Sequence, residues 1–567
     1  MRCCMQSNPF LDNTFQIRWS SLAPKHIEPA IETVLASAKQ AIGTITAQDL
    51  DGVSYENTFL ALEKASEELN AVWGKVSHLQ SVSDSPELRD AYNKMLPAVT
   101  AFSASIPLNV ELWSRLKSFA ETPDGKAISG VQRRFMDETM GEFRQAGADL
   151  PEDKRKRLEA LQGELAQITQ KFSENVLDAT NGWELIVTDE SRLKGLPGHA
   201  KAAAAKSAAS KDKVTADIPA WRFTLHQPSM EPFMVYLEDD ALRREMWEAS
   251  SSVGGKAPHD NTDLIRQILK LRGEQAALLG KCNFADVVLE RRMAKTGDKA
   301  LQFIEDLQQR AAGSFAKDTT ELEAYQAEHT GQAQGPLAPW ELAFWSEKLR
   351  QSNYAFDEEQ LRPYFPMDRV IDGLFTLVNR VFGLVVEPLP VGAVEVWSPD
   401  VLFYELKNKE GVHLGSFYSD WYPRESKRSG AWMNYLHTGE VVPNHKREPH
   451  LGLICGNMTP PVDGRPALLT HREVETVFHE FGHLLHHLLG EVEIKSLNGV
   501  NVTWDFVELP SQIMENWCWE RESLDLFARH HETGDAIPEE LFSKMIAAKN
   551  FRSATATMRQ VSLAKMD

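Results

Sequence analysis

The hydrophobic positions fall into two rhythms that divide the chain. From Ala23 to about Leu177 they recur at three and four, as in "HIEPAIETVLASAKQAI" and "DKRKRLEALQGELAQITQKFSENVL", the spacing of amphipathic helices that turn one face to a core. Breaks rich in Pro, Gly and Asp separate these segments. "WELIVTD" and "WRFTLHQ" alternate as strands do, and between them lies "GHAKAAAAKSAASKDK", an alanine-rich helix or tether of low complexity. Helical spacing resumes from about Pro232 to Arg350. A strand-bearing block follows, "VEVWSPDVLFYELKN", "VHLGSFYSDWYP" and "PHLGLICGNMT", and after Thr470 the chain is helical again. The pattern predicts a mainly α protein with a small β-sheet, divided into an N-terminal helical domain over residues 1–200 and a second domain over residues 215–567. No internal period marks a solenoid.

Composition narrows the function. With 567 residues and 42% hydrophobic content, the chain can bury a sizeable core in more than one domain. A formal net charge of −20 disfavours nucleic acid and anionic membranes as partners, since both attract clustered Lys and Arg. Five cysteines (Cys3, Cys4, Cys282, Cys455 and Cys518) are odd in number and lack framework spacing, as expected in the reducing cytoplasm. The start reads as no secretory signal, and no run approaches the roughly 20 apolar residues of a membrane span.

The chemistry concentrates in "ETVFHEFGHLLHH". His479 and His483 stand four apart in an HExxH, so on a helix both imidazoles reach one tetrahedral zinc. Glu480 sits beside that ion, placed as a general base toward an attacking water. A catalytic zinc needs a third protein ligand. His487 is about 12 Å along the axis from His479, too far to share the ion, so His486 and His487 read as packing residues. The arrangement HExxHxxGxxH fails at His486 and Leu489. Downstream, "NVTWDFVELPSQIMENWCWERES" offers Asp505, Glu508, Glu515, Glu520 and Glu522, and spacing does not choose among them. Asp505 and Glu508 also fit a capping box at a helix start.

These segments resemble the oligopeptidase A and thimet oligopeptidase family of zinc metallopeptidases. The resemblance runs from "SLAPKHIEPAIETVL" through "ILKLRGEQAALLGKCNFADVVLERRMA" and "SDWYPRESKRSGAWM" to "ALLTHREVETVFHEFGHLLHH" and "WDFVELPSQIMENWCW". It implies a two-lobed helical zincin-type fold with a small β-sheet beside a deep substrate channel. It also implies one Zn2+ per chain held by His479, His483 and Glu508, with Glu480 as base, in a cytoplasmic, monomeric enzyme that cuts short unfolded peptides.

Three further expectations accompany it. "LGLICGNMT" offers a strand edge to an extended peptide or simply covers a core, "YPRESKRSG" reads as a solvated turn, and Asp505, Gln512 or Glu475 orients a ligand. The family closes its site with a histidine and tyrosines on a downstream Gly-rich loop, whereas no tyrosine follows Tyr435 here. "RHHETGD" reads as a helix end with surface histidines, not a replacement for them. The last segment reads as one amphipathic helix running to the final residue, as if the chain were cut before the domain ends. The expected activity is a zinc endopeptidase, with a dipeptidyl carboxypeptidase or a non-catalytic zinc- or peptide-binding remnant as alternatives.

Overall fold

The computed structural model describes residues 8–211, 219–355, 357–442, 446–462 and 464–567. Cys3, Cys4 and the end of the alanine-rich tether lie outside them. Helices dominate, and the alanine-rich segment forms one over Gly198–Ala209. The strands among the described residues are β1 (Leu185–Val187), β2 (Trp221–Phe223), β3 (Val385–Pro388), β4 (Leu402–Lys407), β5 (His413–Asp420), β6 (Trp432–His437), β7 (Val441–Val442), β8 (Lys446–Arg447) and β9 (His450–Cys455). β1 pairs with β2 and β7 with β8, and the other five form a mixed sheet in the order β3-β4-β5-β9-β6. β5 and β9 are parallel, and the remaining pairs are antiparallel.

Side chains alternate across a strand, and here both faces of the sheet are buried. Phe403, Tyr418, Leu451, Leu453 and Cys455 point into a core shared with N-terminal helices such as Ile27–Thr46 and Glu67–Val82. Tyr404, Leu406, Phe417 and Ile454 point the other way, onto the helices Met367–Phe382 and His471–Leu488. That double burial explains why "HLGLIC" reads as an unbroken apolar run. A third, smaller core gathers β1, β2 and the helices around them.

Several expectations change here. β9 lies inside the sheet between β5 and β6, so its edge is taken. The edge strands are β3 and β6, and of these β6 lies beside the helix His471–Leu488, a strand the sequence pattern did not reveal. "YPRESKRSG" is not simply a solvated turn: Arg428, Ser429 and Gly430 are exposed, but Lys427 is 3% exposed. The C-terminal segment is two helices, Glu539–Ala548 and Ser553–Met566, broken where Arg552 takes a left-handed φ of 53°. The stretch Pro86–Glu121 is long and apolar enough to cross a membrane by composition, although no such run had been expected. Its Leu88, Met95, Val99, Phe102, Leu112 and Leu116 pack into the N-terminal core. Cys282, Cys455 and Cys518 are free thiols, the last two buried.

Candidate metal centre

The helix His471–Leu488 begins where the sequence says it should. Thr470 accepts from the Glu473 N–H at 3.1 Å, and Glu473 accepts from the Thr470 N–H at 2.8 Å, a reciprocal capping box. Val474, Val477, Phe478, Phe481, Leu484, Leu485 and Leu488 bury its apolar side. At Gly452 the helix packs directly on the strand, where a Cβ would stand 2.6 Å from Leu484 Cδ1.

The adjacent face carries His479 and His483, with ring centroids 4.9 Å apart. The short helix Glu508–Glu515 crosses this face so closely that a Cβ on Gly482 would meet Ser511 Cα at 2.7 Å and Pro510 O at 3.0 Å. Through that crossing, Glu508 Oε2 reaches 3.2 Å from His479 Nε2 and 3.1 Å from His483 Nε2. The donor atoms of His479, His483 and Glu508 all lie within 4.8 Å of one another, and no other such group occurs among the described residues.

Two neighbours orient the donors. His479 Nδ1 donates to Glu515 Oε1 at 2.6 Å, which leaves Nε2 as the free lone pair. Ser511 Oγ donates to Glu508 Oε2 at 2.9 Å. None of the three alternatives that the sequence offered for an orienting residue takes that part. Glu475 accepts from Trp519 Nε1 at 2.6 Å, Gln512 is exposed, and Asp505 accepts the Met293 and Ala294 N–H groups at 3.0 Å each. Asp505 forms no capping box with Glu508, whose helix has no side-chain cap. Glu515 was missed as an orienting residue, although it stands two helical turns beyond Glu508 on the same face.

Glu480 is 6% exposed. Burial pushes its pKa up to about 7, Glu508 adds to the rise, and His479 and the Met433 N–H of β6 oppose it. His483 is held below the ordinary histidine range, chiefly by burial, with Glu508 opposing. His487 packs as expected, fully buried, stacked on Tyr435 at 4.5 Å and beside His450. His486 is half-buried, and His530 and His531 sit in a half-buried turn after the helix Arg521–Phe527.

β6 runs in the direction of the metal helix. Met433 meets Glu480, and further along the His437 carbonyl lies 3.3 Å from His487 Nε2. At the N-terminal flank of both elements opens a cavity of about 1180 Å³, walled by Thr470, Glu473 and Thr476, by residues 429–431 and by residues 457–460.

Two imidazole nitrogens and one carboxylate, with a buried carboxyl alongside, make a donor set that could hold a metal ion. Residues 233–567 match the sequence profile of Peptidase family M3. The chain belongs to peptidase family M3. Residues 31–155 of this M3 peptidase also match the N-terminal domain of neurolysin and thimet oligopeptidase. Over 569 residues it is 37% identical to oligopeptidase A of Salmonella typhimurium, covering 99% of this chain and 82% of that protein. It is 30% identical to dipeptidyl carboxypeptidase of Escherichia coli, covering 99% of this chain and 81% of that protein. Its fold resembles the solved structure of PZ peptidase A with an inhibitor, at a TM-score of 0.50 and 14% identity, over 93% of this chain and 72% of that one. Peptide hydrolysis is the chemistry of the family, and the fold is the mainly helical, zincin-type fold expected.

Proposed function

We propose that this M3 peptidase is a zinc-dependent endopeptidase that cleaves short oligopeptides, with Glu480 as general base. The observation that carries the reading is the convergence of His479, His483 and Glu508 donor atoms from two separate helices beside a buried Glu480. His479 and His483 through Nε2, and Glu508 through Oε2, are the residues that would hold one Zn2+. When bound, the ion supplies Lewis-acid polarisation of the scissile carbonyl and acidifies water at its open position.

The remaining work falls to the chain's own groups. A Glu480 carboxylate oxygen takes the proton of the attacking water and returns it to the nitrogen of the leaving amine. Burial makes this carboxylate a stronger base than a solvated one. The Met433 N–H holds the carboxylate on the β6 side. The free edge of β6 is suited to take an extended peptide as an added antiparallel strand. Because β6 follows the metal helix, such a peptide directs its C-terminal part toward residues 429–431 and the large cavity. We assign hydrolysis to residues 215–567, which hold the match to Peptidase family M3, and place the enzyme, as a monomer, in the cytoplasm, where the free buried thiols Cys455 and Cys518 would stay reduced.

Zinc content and hydrolysis of an internally quenched peptide test the reading. One zinc per chain and cleavage of both free and C-terminally amidated peptides are expected. Glu480→Gln should retain the zinc and lose about 10²- to 10⁴-fold in kcat. Cleavage of free peptides alone would favour the dipeptidyl carboxypeptidase reading, for which the Escherichia coli relative speaks. Stoichiometric zinc without turnover would leave a binding protein.

A further inference from the structure

β6 is paired with another strand on one side only, with β9. An edge strand tied in this way is free to slide or fray, and a slip of one residue would turn its alternate groups away from the metal helix. Two side chains resist this, and both tie the segment that leads into β6 to the segment just past the end of β9.

From inside, Lys427 Nζ donates to Asp420 Oδ1 at 2.9 Å, to the Asp420 carbonyl at 2.8 Å, to the Tyr422 carbonyl at 3.1 Å and to the Gly456 carbonyl. Its side chain and that of Asp420 have no exposed surface. Asp420 is balanced further by Arg424 at 2.6 Å and by the Trp397 N–H at 2.7 Å. The ammonium is therefore buried with more acceptors around it than its three N–H groups need, the condition under which a buried ion pair specifies one geometry.

From outside, Asn457 Nδ2 donates to the Arg428 carbonyl at 3.0 Å and to the Gly430 carbonyl at 2.6 Å. Gly430 precedes β6 by two residues and has a φ of 89°. Asn457 thus fixes the exposed backbone from which the edge strand departs, and it lines the large cavity. Neighbouring Thr459 is bound in turn to Glu473 of the metal helix, through its N–H at 2.6 Å and its hydroxyl at 2.8 Å.

We propose that Asn457 is a positioning residue that fixes β6 in register over the metal helix, with Lys427 as its buried counterpart. It sets how tightly a peptide is held and leaves the bond-breaking groups undisturbed. The proposal rests on the reading that β6 receives the peptide. Once these ties are lost, part of the binding energy goes into ordering residues 428–433, and KM rises while kcat holds.

The test compares wild type, Asn457→Ala and Asn457→Asp, the latter being isosteric but without the two amide donors. Lys427→Met serves as a harsher variant. Expected for both Asn457 variants are a KM raised about tenfold with kcat within about threefold, one zinc per chain, and faster amide hydrogen exchange over residues 429–437 with unchanged exchange over 479–485. Unchanged KM and exchange, or a parallel fall of kcat and zinc content, would overturn the proposal. If the wild type does not hydrolyse peptides, the functional reading fails by itself. Exchange over 429–437 then decides for Asn457, faster exchange supporting it and unchanged exchange refuting it.

Discussion

At the scale of single residues, the two histidines and Glu480 are legible because their four-residue spacing is a property of the helix itself. Glu508 is legible only through resemblance, since five carboxylates compete within "NVTWDFVELPSQIMENWCWERES". Glu515 was among those five but not singled out, because its role depends on how two helices cross. Its 2.6 Å bond to His479 Nδ1 fixes the tautomer that presents Nε2. A carboxylate in this position raises the basicity of the ligand and holds its ring plane. Glu515→Ala should therefore weaken zinc binding about 10- to 100-fold without unfolding the chain. Titration against a competing chelator, with circular dichroism as the check on folding, would measure it. Unchanged affinity would show that the bond is incidental.

At the scale of elements, what a few adjacent residues decide is legible in the sequence, and what depends on distant ones is not. The Thr470 and Glu473 capping box announces the start of the metal helix from four adjacent residues. Asp505 looks like the cap of the next helix, yet it serves backbone N–H groups at Met293 and Ala294, more than 200 residues away in sequence. β6 went unseen because Trp432–His437 has no clean alternation of burial, as suits an edge strand with neither side fully covered. Gly482 has the clearest structural requirement in HEFGH, and it too becomes visible only when Glu508–Glu515 is in place. Both atoms that a Cβ would strike there are backbone, so a side chain cannot be accommodated by a rotamer change. Gly482→Val should push the two helices apart and cost about 1–3 kcal/mol of stability. Zinc affinity should fall with it, since Glu508 moves with its helix. Denaturant unfolding and metal titration of the same variant would show whether the two losses coincide, and a loss of stability with zinc affinity intact would refute the coupling.

At the scale of the whole molecule, the sheet is the common wall of two cores, and buried histidines lie on both sides of it. His78, on the N-terminal helix Glu67–Val82, packs against Trp397 at 4.1 Å between ring centroids and lies close to Asp420. His450 and His487 pack together on the side of the metal helix. Burial holds the pKa of His78 and His487 down to about 3 and that of His450 to about 4, against 6.5 for a free side chain. Well above pH 6.5 these groups are neutral whether the chain is folded or not, and there they contribute little pH dependence. As pH falls below 6.5 the unfolded chain takes up protons that the folded chain refuses, so stability drops progressively until the folded pKa values are reached. Each of the three contributes about 1.4 kcal/mol per pH unit within that window. The Asp420 carboxyl, held below its ordinary range by Arg424 and Lys427 against the opposing effect of burial, loses its stabilisation only at still lower pH. Metal-free protein isolates the effect from ligand protonation at the zinc site. Its urea midpoint should be flat between pH 8 and 7 and should fall steeply between pH 6 and 4. His487→Gln, which cannot be protonated, should make that fall shallower even if it lowers the midpoint at neutral pH. A slope unchanged by this substitution would mean that His487 is not among the groups that drive acid unfolding.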